Sequence, residues 1–74
     1  MGNSALEDFV LTLIKSNNGI TVTQLVDKSR EKFDNEFFSL RIASITINYI
    51  LIHYAKNIES IMGYLYWRED NDRQ

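Results

Sequence analysis

The stretch 37–55 constrains this chain more than any other part of it: thirteen of its nineteen residues are apolar, and they do not lie on one side. At a helical step of about 100° per residue, Phe38, Ile42, Ile45, Tyr49 and Ile52 gather on one face. Leu40, Ala43, Ile47, Ile50, Leu51 and Tyr54 gather on another, about 170° away. Ser39, Thr46 and His53 fall along one flank between them, and Arg41, Ser44 and Asn48 along the other. The β-branched residues in this run favour extended backbone, so a buried strand within 44–54 is the alternative. Length and the failure of strict alternation favour a helix over 37–56.

Two apolar faces are a large demand on a chain of 74 residues. A domain of this size buries only about 60% of the surface its unfolded chain exposes. With no Cys and a single His, neither a disulfide nor a metal staple is expected. A second chain is the remaining way to cover both faces. Apolar residues make up 45% of the sequence, too many for a disordered chain. Eight Lys and Arg against ten Asp and Glu give a net charge of −2, which argues against a polybasic protein of nucleic acid or membrane surfaces. Glu7 and Asp8 interrupt the first apolar residues, so no secretory signal is expected and the cytoplasm is the default location. Arg41, Ser44, Thr46, Asn48 and His53 speak against a membrane span.

The rest of the chain reads as short capped elements. Ser4-Ala5-Leu6-Glu7 has the pattern of a capping box, and Leu6, Phe9, Val10, Leu13 and Ile14 follow at helical spacing. Asn17-Asn18-Gly19 ends that helix. Ile20-Thr21-Val22 is long enough for one strand-like bridge, and Thr21-Val22-Thr23-Gln24 is a second capping box. The helix it opens carries Val22, Leu25, Val26, Ser29 and Phe33 on one face and breaks at Asp34-Asn35-Glu36. Asn57 is expected to close the third helix in left-handed geometry. Residues 58–61, Met62-Gly63 and 64–68 read as a hairpin, and 69–74 as a frayed polar tail after a single domain over 1–68.

Three helices followed by a two-stranded hairpin give an α+β, mainly helical fold. Over residues 4–68 it resembles the winged helix-turn-helix superfamily. Gly19-Ile20-Thr21-Val22-Thr23-Gln24-Leu25 is similar to that superfamily's entry into its second helix. Asn57-Ile58-Glu59 through Gly63-Tyr64-Leu65-Tyr66 is similar to its wing. The resemblance implies a binding domain that uses its third helix and wing, on DNA in some members and on proteins in others. Fold alone does not choose between these.

A helix that reads DNA offers polar and cationic side chains on its outer face. Here polar residues are confined to the flanks, and an uncovered apolar face normally marks an interface. The expectation is that the face bearing Leu40, Ile47, Leu51 and Tyr54 packs on a partner protein or, most simply, a two-fold copy, while the face with Ile45 enters the core. Tyr64 and Tyr66, on one side of the second strand, are candidates for the same interface. The alternative is that the hairpin and first helix enclose both faces within one monomer. The rival function is a dimeric DNA-binding transcriptional regulator, with Lys28, Arg30, Lys32, Arg41 and Lys56 on phosphates. Residues 15–57 carry six cations against four anions, a net of +2. Against it, Met62-Gly63 at the wing tip has no cation, and Lys28, Arg30 and Lys32 read as a solvated helix face. His53 lies in no nucleophilic or metal-ligand motif, and the three glycines form no phosphate loop. No enzyme, cofactor, metal or small-molecule substrate is expected.

Overall fold

The computed structural model describes residues 4–33 and 40–69. Within them the order is helix α1 (Ser4–Ser16), helix α2 (Val22–Lys32), helix α3 (Leu40–His53), a short 3-10 turn (Ala55–Asn57), and strands β1 (Ile58–Ile61) and β2 (Tyr64–Trp67). The strands form an antiparallel hairpin in which Ile58 pairs with Trp67 and Ile61 with Tyr64. The layout is α+β, mainly helical and winged-helix-like. Residues 34–39, with the expected break and Phe38, lie outside the described residues, as does the tail from 70 on.

Local chemistry explains the starts and stops. Thr21 caps α2 in both directions: Gln24 N–H donates to Thr21 Oγ1 at 3.1 Å, and Thr21 N–H donates to Gln24 Oε1 at 3.0 Å. At the end of α1, Asn17 N–H and Nδ2 both donate to the Leu13 carbonyl, at 3.1 and 2.7 Å. Gly19 then turns the chain with φ of 106°. A Cβ there would stand 3.0 Å from the Tyr66 hydroxyl, so glycine is required by backbone conformation and by space together. Ile20 makes the expected bridge, exchanging backbone hydrogen bonds of 3.2 and 2.8 Å with Leu65 and fastening the hairpin to the helices.

One local expectation changes. Asn57 does not close α3 in left-handed backbone; the helix ends at His53, and Met62 is the one non-glycine residue at positive φ among those described. Asn57 instead closes the hairpin base: its Nδ2 donates to the Arg68 carbonyl at 3.0 Å, and Arg68 N–H donates to its carbonyl at 2.7 Å. Glu7 in the first turn of α1 accepts a hydrogen bond from the Tyr54 hydroxyl, 47 positions away in sequence. The carboxylate thus joins the first turns of α1 to the far end of α3.

The core forms where the three helices meet β2. Leu6, Val10 and Ile14 come from α1, Leu25 and Val26 from α2, Ala43, Ile47 and Ile50 from α3, with Ile20 and Leu65 closing one end. Helix α3 contains several β-branched residues of modest helix propensity, and this tertiary burial holds it helical. Among the described residues one side-chain polar group is buried without a partner, the Ser29 hydroxyl on α2. Leaving a hydroxyl unsatisfied costs about 1–3 kcal/mol, so Ser29→Ala is expected to raise stability by about 1 kcal/mol, read as an increased urea midpoint at unchanged slope. A lower midpoint contradicts this account of Ser29.

The Tyr54 phenol is pushed above its ordinary value of 10.0, first by its hydrogen bond to Glu7, then by desolvation and the nearby negative charges of Glu7 and Asp8. The fold therefore favours the protonated phenol. Its contribution is complete below pH 10.0 and disappears as pH rises through the raised value. Tyr54→Phe is expected to have a lower urea midpoint at neutral pH and a smaller fall at strongly alkaline pH than the wild type. Equal alkaline falls in both proteins contradict the assignment.

Candidate protein-binding face

The two apolar faces of α3 meet different fates, the reverse of the expected assignment. Ala43, Ile47 and Ile50 are buried, with Leu51 and Tyr54 packed against them. Ile47 was expected on the partner face, and it is a core residue with no exposed surface. The opposite residues, expected inside, are outside: Ile42 is 47% exposed, Ile45 60%, Tyr49 70% and Ile52 74%. Ala43 supplies the physical reason. Its short side chain lets a neighbouring element approach α3 closely, and Ile47 and Ile50 on the same side share one core with residues of α1 and α2. The β-branched Ile45 and the tyrosine at 49 offer no such recess. The described residues do not enclose both faces.

The remaining interface candidates divide in the same way. Leu51 and Tyr54 are half-buried; the Tyr54 ring stands 6.4 Å from that of Trp67 and 4.9 Å from that of His53, and its hydroxyl is held by Glu7. They serve the domain. Leu40 starts α3, and its side chain lies outside what is described. On the hairpin, Leu65 and Trp67 turn inward, and Lys15 Nζ covers the Trp67 ring at 4.7 Å. Tyr66 is half-buried under Gly19, with the Arg68 guanidinium 5.6 Å from its ring centre and paired with Glu59. Tyr64 is exposed beside Ile61, its partner across the strands.

The wing tip adds a second apolar surface that sequence reasoning passed over. Met62 is 92% exposed, and Met62 and Gly63 have φ of 52° and 87°. Positive φ at both central residues suits a tight hairpin, where Asn or Gly is the favoured first residue. Met62 adopts this backbone with its apolar side chain out in solvent.

The cationic candidates fall on three elements. Lys28, Arg30 and Lys32 lie on α2 among Asp27 and Glu31. Lys32 Nζ sits 5.8 Å above the Phe9 ring, and Lys28, Glu31 and Lys32 rim an open groove of 350 Å³ floored by Phe9 and Leu13. Arg41 is in the first turn of α3, and Lys56 lies in the 3-10 turn beyond its other end. About 20 Å of helix separates these last two. Among the described residues no cluster of three or more His, Cys, Asp or Glu is placed to hold a metal ion. No described helix is long and apolar enough to cross a membrane.

Fold and site together define a small helical module with a hairpin wing and an uncovered apolar stripe on its third helix. No protein-family model, curated protein or solved structure matches this chain.

The two faces make opposite predictions for one substitution. Ile45→Glu and Tyr49→Glu are expected to keep the helical circular dichroism and to unfold within about 0.5 kcal/mol of the wild type under conditions where it is monomeric, because they change exposed positions. Ile47→Glu buries an unpaired charge and is expected to abolish the folded state. Unfolding by Ile45→Glu places that face in the core after all.

Proposed function

We propose that this protein is a non-catalytic, winged-helix-type binding module that makes protein contacts through the outer face of α3, by self-association or by docking on a partner. The observation that carries the reading is the stripe Ile42, Ile45, Tyr49 and Ile52, apolar and exposed on the helix that such folds use for recognition. These four side chains carry no cation and only one polar group, the Tyr49 hydroxyl. They are poorly suited to phosphates and base edges and well suited to the apolar centre of a protein interface.

Regulation of transcription by DNA binding is the rival reading. Its candidates Lys28, Arg30 and Lys32 share their helix with two carboxylates, and Arg41 and Lys56 sit at opposite ends of α3. Labelled duplex DNA titrated with the protein at about 50 mM and 200 mM salt tests the choice by fluorescence anisotropy. The expected result is weak binding with a shallow salt dependence. Affinity that falls by about 10³ or more between those salts, and that Arg41→Ala and Lys56→Ala weaken, overturns the protein-binding reading.

A further inference from the structure

The sulfur chemistry of this chain rests on two methionines and no cysteine. Met1 lies outside the described residues. Met62 stands at the tip of the wing with 92% of its surface exposed, more than any other large apolar residue described. Neither the core nor the apolar residues packed against it include Met62. The space around the tip is open as well: a Cβ built on the neighbouring Gly63 would meet no atom within 4 Å. The strand pairing ends at Ile61 and Tyr64, so the hairpin register is complete without the Met62 side chain.

In a chain without thiols the thioethers are the groups that a peroxide oxidises first, and exposure decides how fast each reacts. Going beyond the binding reading above and not depending on it, we infer that Met62 is a reversible oxidation site whose oxidant is a hydroperoxide. The Met62 sulfur gives an electron pair to the outer oxygen of the peroxide; an S–O bond forms, the O–O bond breaks, and the peroxide leaves as water or an alcohol. Reversal takes a dithiol, which becomes a disulfide while the oxygen leaves as water, through the two classes of methionine sulfoxide reductase, one for each epimer at sulfur. Both directions require another molecule to reach the sulfur of the folded protein. The open tip admits both.

The product is a polar, chiral side chain in place of an apolar one. In a core its oxygen would be left without a hydrogen-bond donor, whereas at the wing tip water supplies one. The fold is therefore indifferent to the change. The surface is not, because Ile61 and Tyr64, 42% and 47% exposed, flank Met62, and the sulfoxide replaces the most exposed apolar group of the three. Oxidation alters what the wing tip presents and leaves the domain beneath it as it was.

Treatment of the full chain with hydrogen peroxide, followed by tryptic digestion and fragment mass spectrometry, locates the added oxygen, since cleavage after Lys56 and Arg68 isolates the hairpin. Met62 is expected to convert as fast in the folded chain as in the chain unfolded in urea, with the oxygen on residue 62 and not on Trp67. Helical circular dichroism and the urea midpoint are expected to be unchanged after conversion. The oxidised protein is expected to elute earlier from a phenyl column, and the two reductases with a dithiol to restore mass and elution together. Met62→Leu, which keeps Met1 alone, is expected to show no elution shift with peroxide. Conversion several-fold slower in the folded chain overturns the assignment of an accessible site. A lower midpoint after oxidation overturns the independence of tip and fold, and a sulfoxide that both reductases leave in place overturns reversibility. An elution shift that persists in Met62→Leu overturns the role of Met62 by assigning the surface change to Met1.

Discussion

The structure depends on which side of α3 enters the core. Ala43 provides the room, and Ile47 and Ile50, one and two turns further on, fill the space between α3 and the other helices. Once these three residues face inward, the helical period determines the rest of α3: Leu51 and Tyr54 are drawn against the core, and Ile42, Ile45, Tyr49 and Ile52 must point out. The exposed stripe is thus a geometric consequence of a core that is itself well packed. A helix with one apolar face would have been sufficient for that core. The second face contributes none of the buried residues described.

The hairpin is anchored at its base and displayed at its tip. Ile20 holds β2 by two backbone hydrogen bonds, Asn57 and Arg68 close the open end, and Tyr54 spans from Glu7 on α1 to the Trp67 ring. Lys15 and Arg68 lie over Trp67 and Tyr66, covering aromatic surface with their long stems while keeping their charges in water. These contacts commit Trp67 and Tyr66 to the domain. Beyond them the strands run out to Ile61, Met62 and Tyr64, which are exposed. The left-handed backbone at Met62 is one that Asn or Gly adopts more readily. Both exposed apolar surfaces therefore sit on parts of the molecule that the core does not need.

Much of this was legible in the sequence because it is written in local chemistry. The Thr21 to Gln24 capping box, the turn at Gly19, the single bridge at Ile20 and the Met62-Gly63 hairpin each depend on residues within a few positions of one another. The existence of α3, against a run of β-branched residues, followed from length and broken alternation. Which face of α3 is buried was not legible by counting, since both faces carry five or six apolar residues. One signal bears on it: Ala43, the one small residue among the apolar residues of the two faces, lies on the buried side. The hydrogen bond between Glu7 and Tyr54 had no sequence signal, because a capping pattern and a long-range acceptor use the same residue type.

The separation of the two faces also separates stability from recognition. Residues that fill a core are bound by volume and shape, and a change at Ile47 is felt by every element it touches. Ile45 and Tyr49 carry no such load, so on the proposed reading their identity is set by what they contact outside the domain. A partner that binds only the folded chain then adds its binding free energy to the fold, by an amount that grows with the logarithm of its concentration. For a chain of 74 residues with neither disulfide nor described metal cluster, this coupling is large relative to the marginal stability of so small a core. The apolar stripe that looks like a liability in the isolated monomer is then the means by which association and folding support each other.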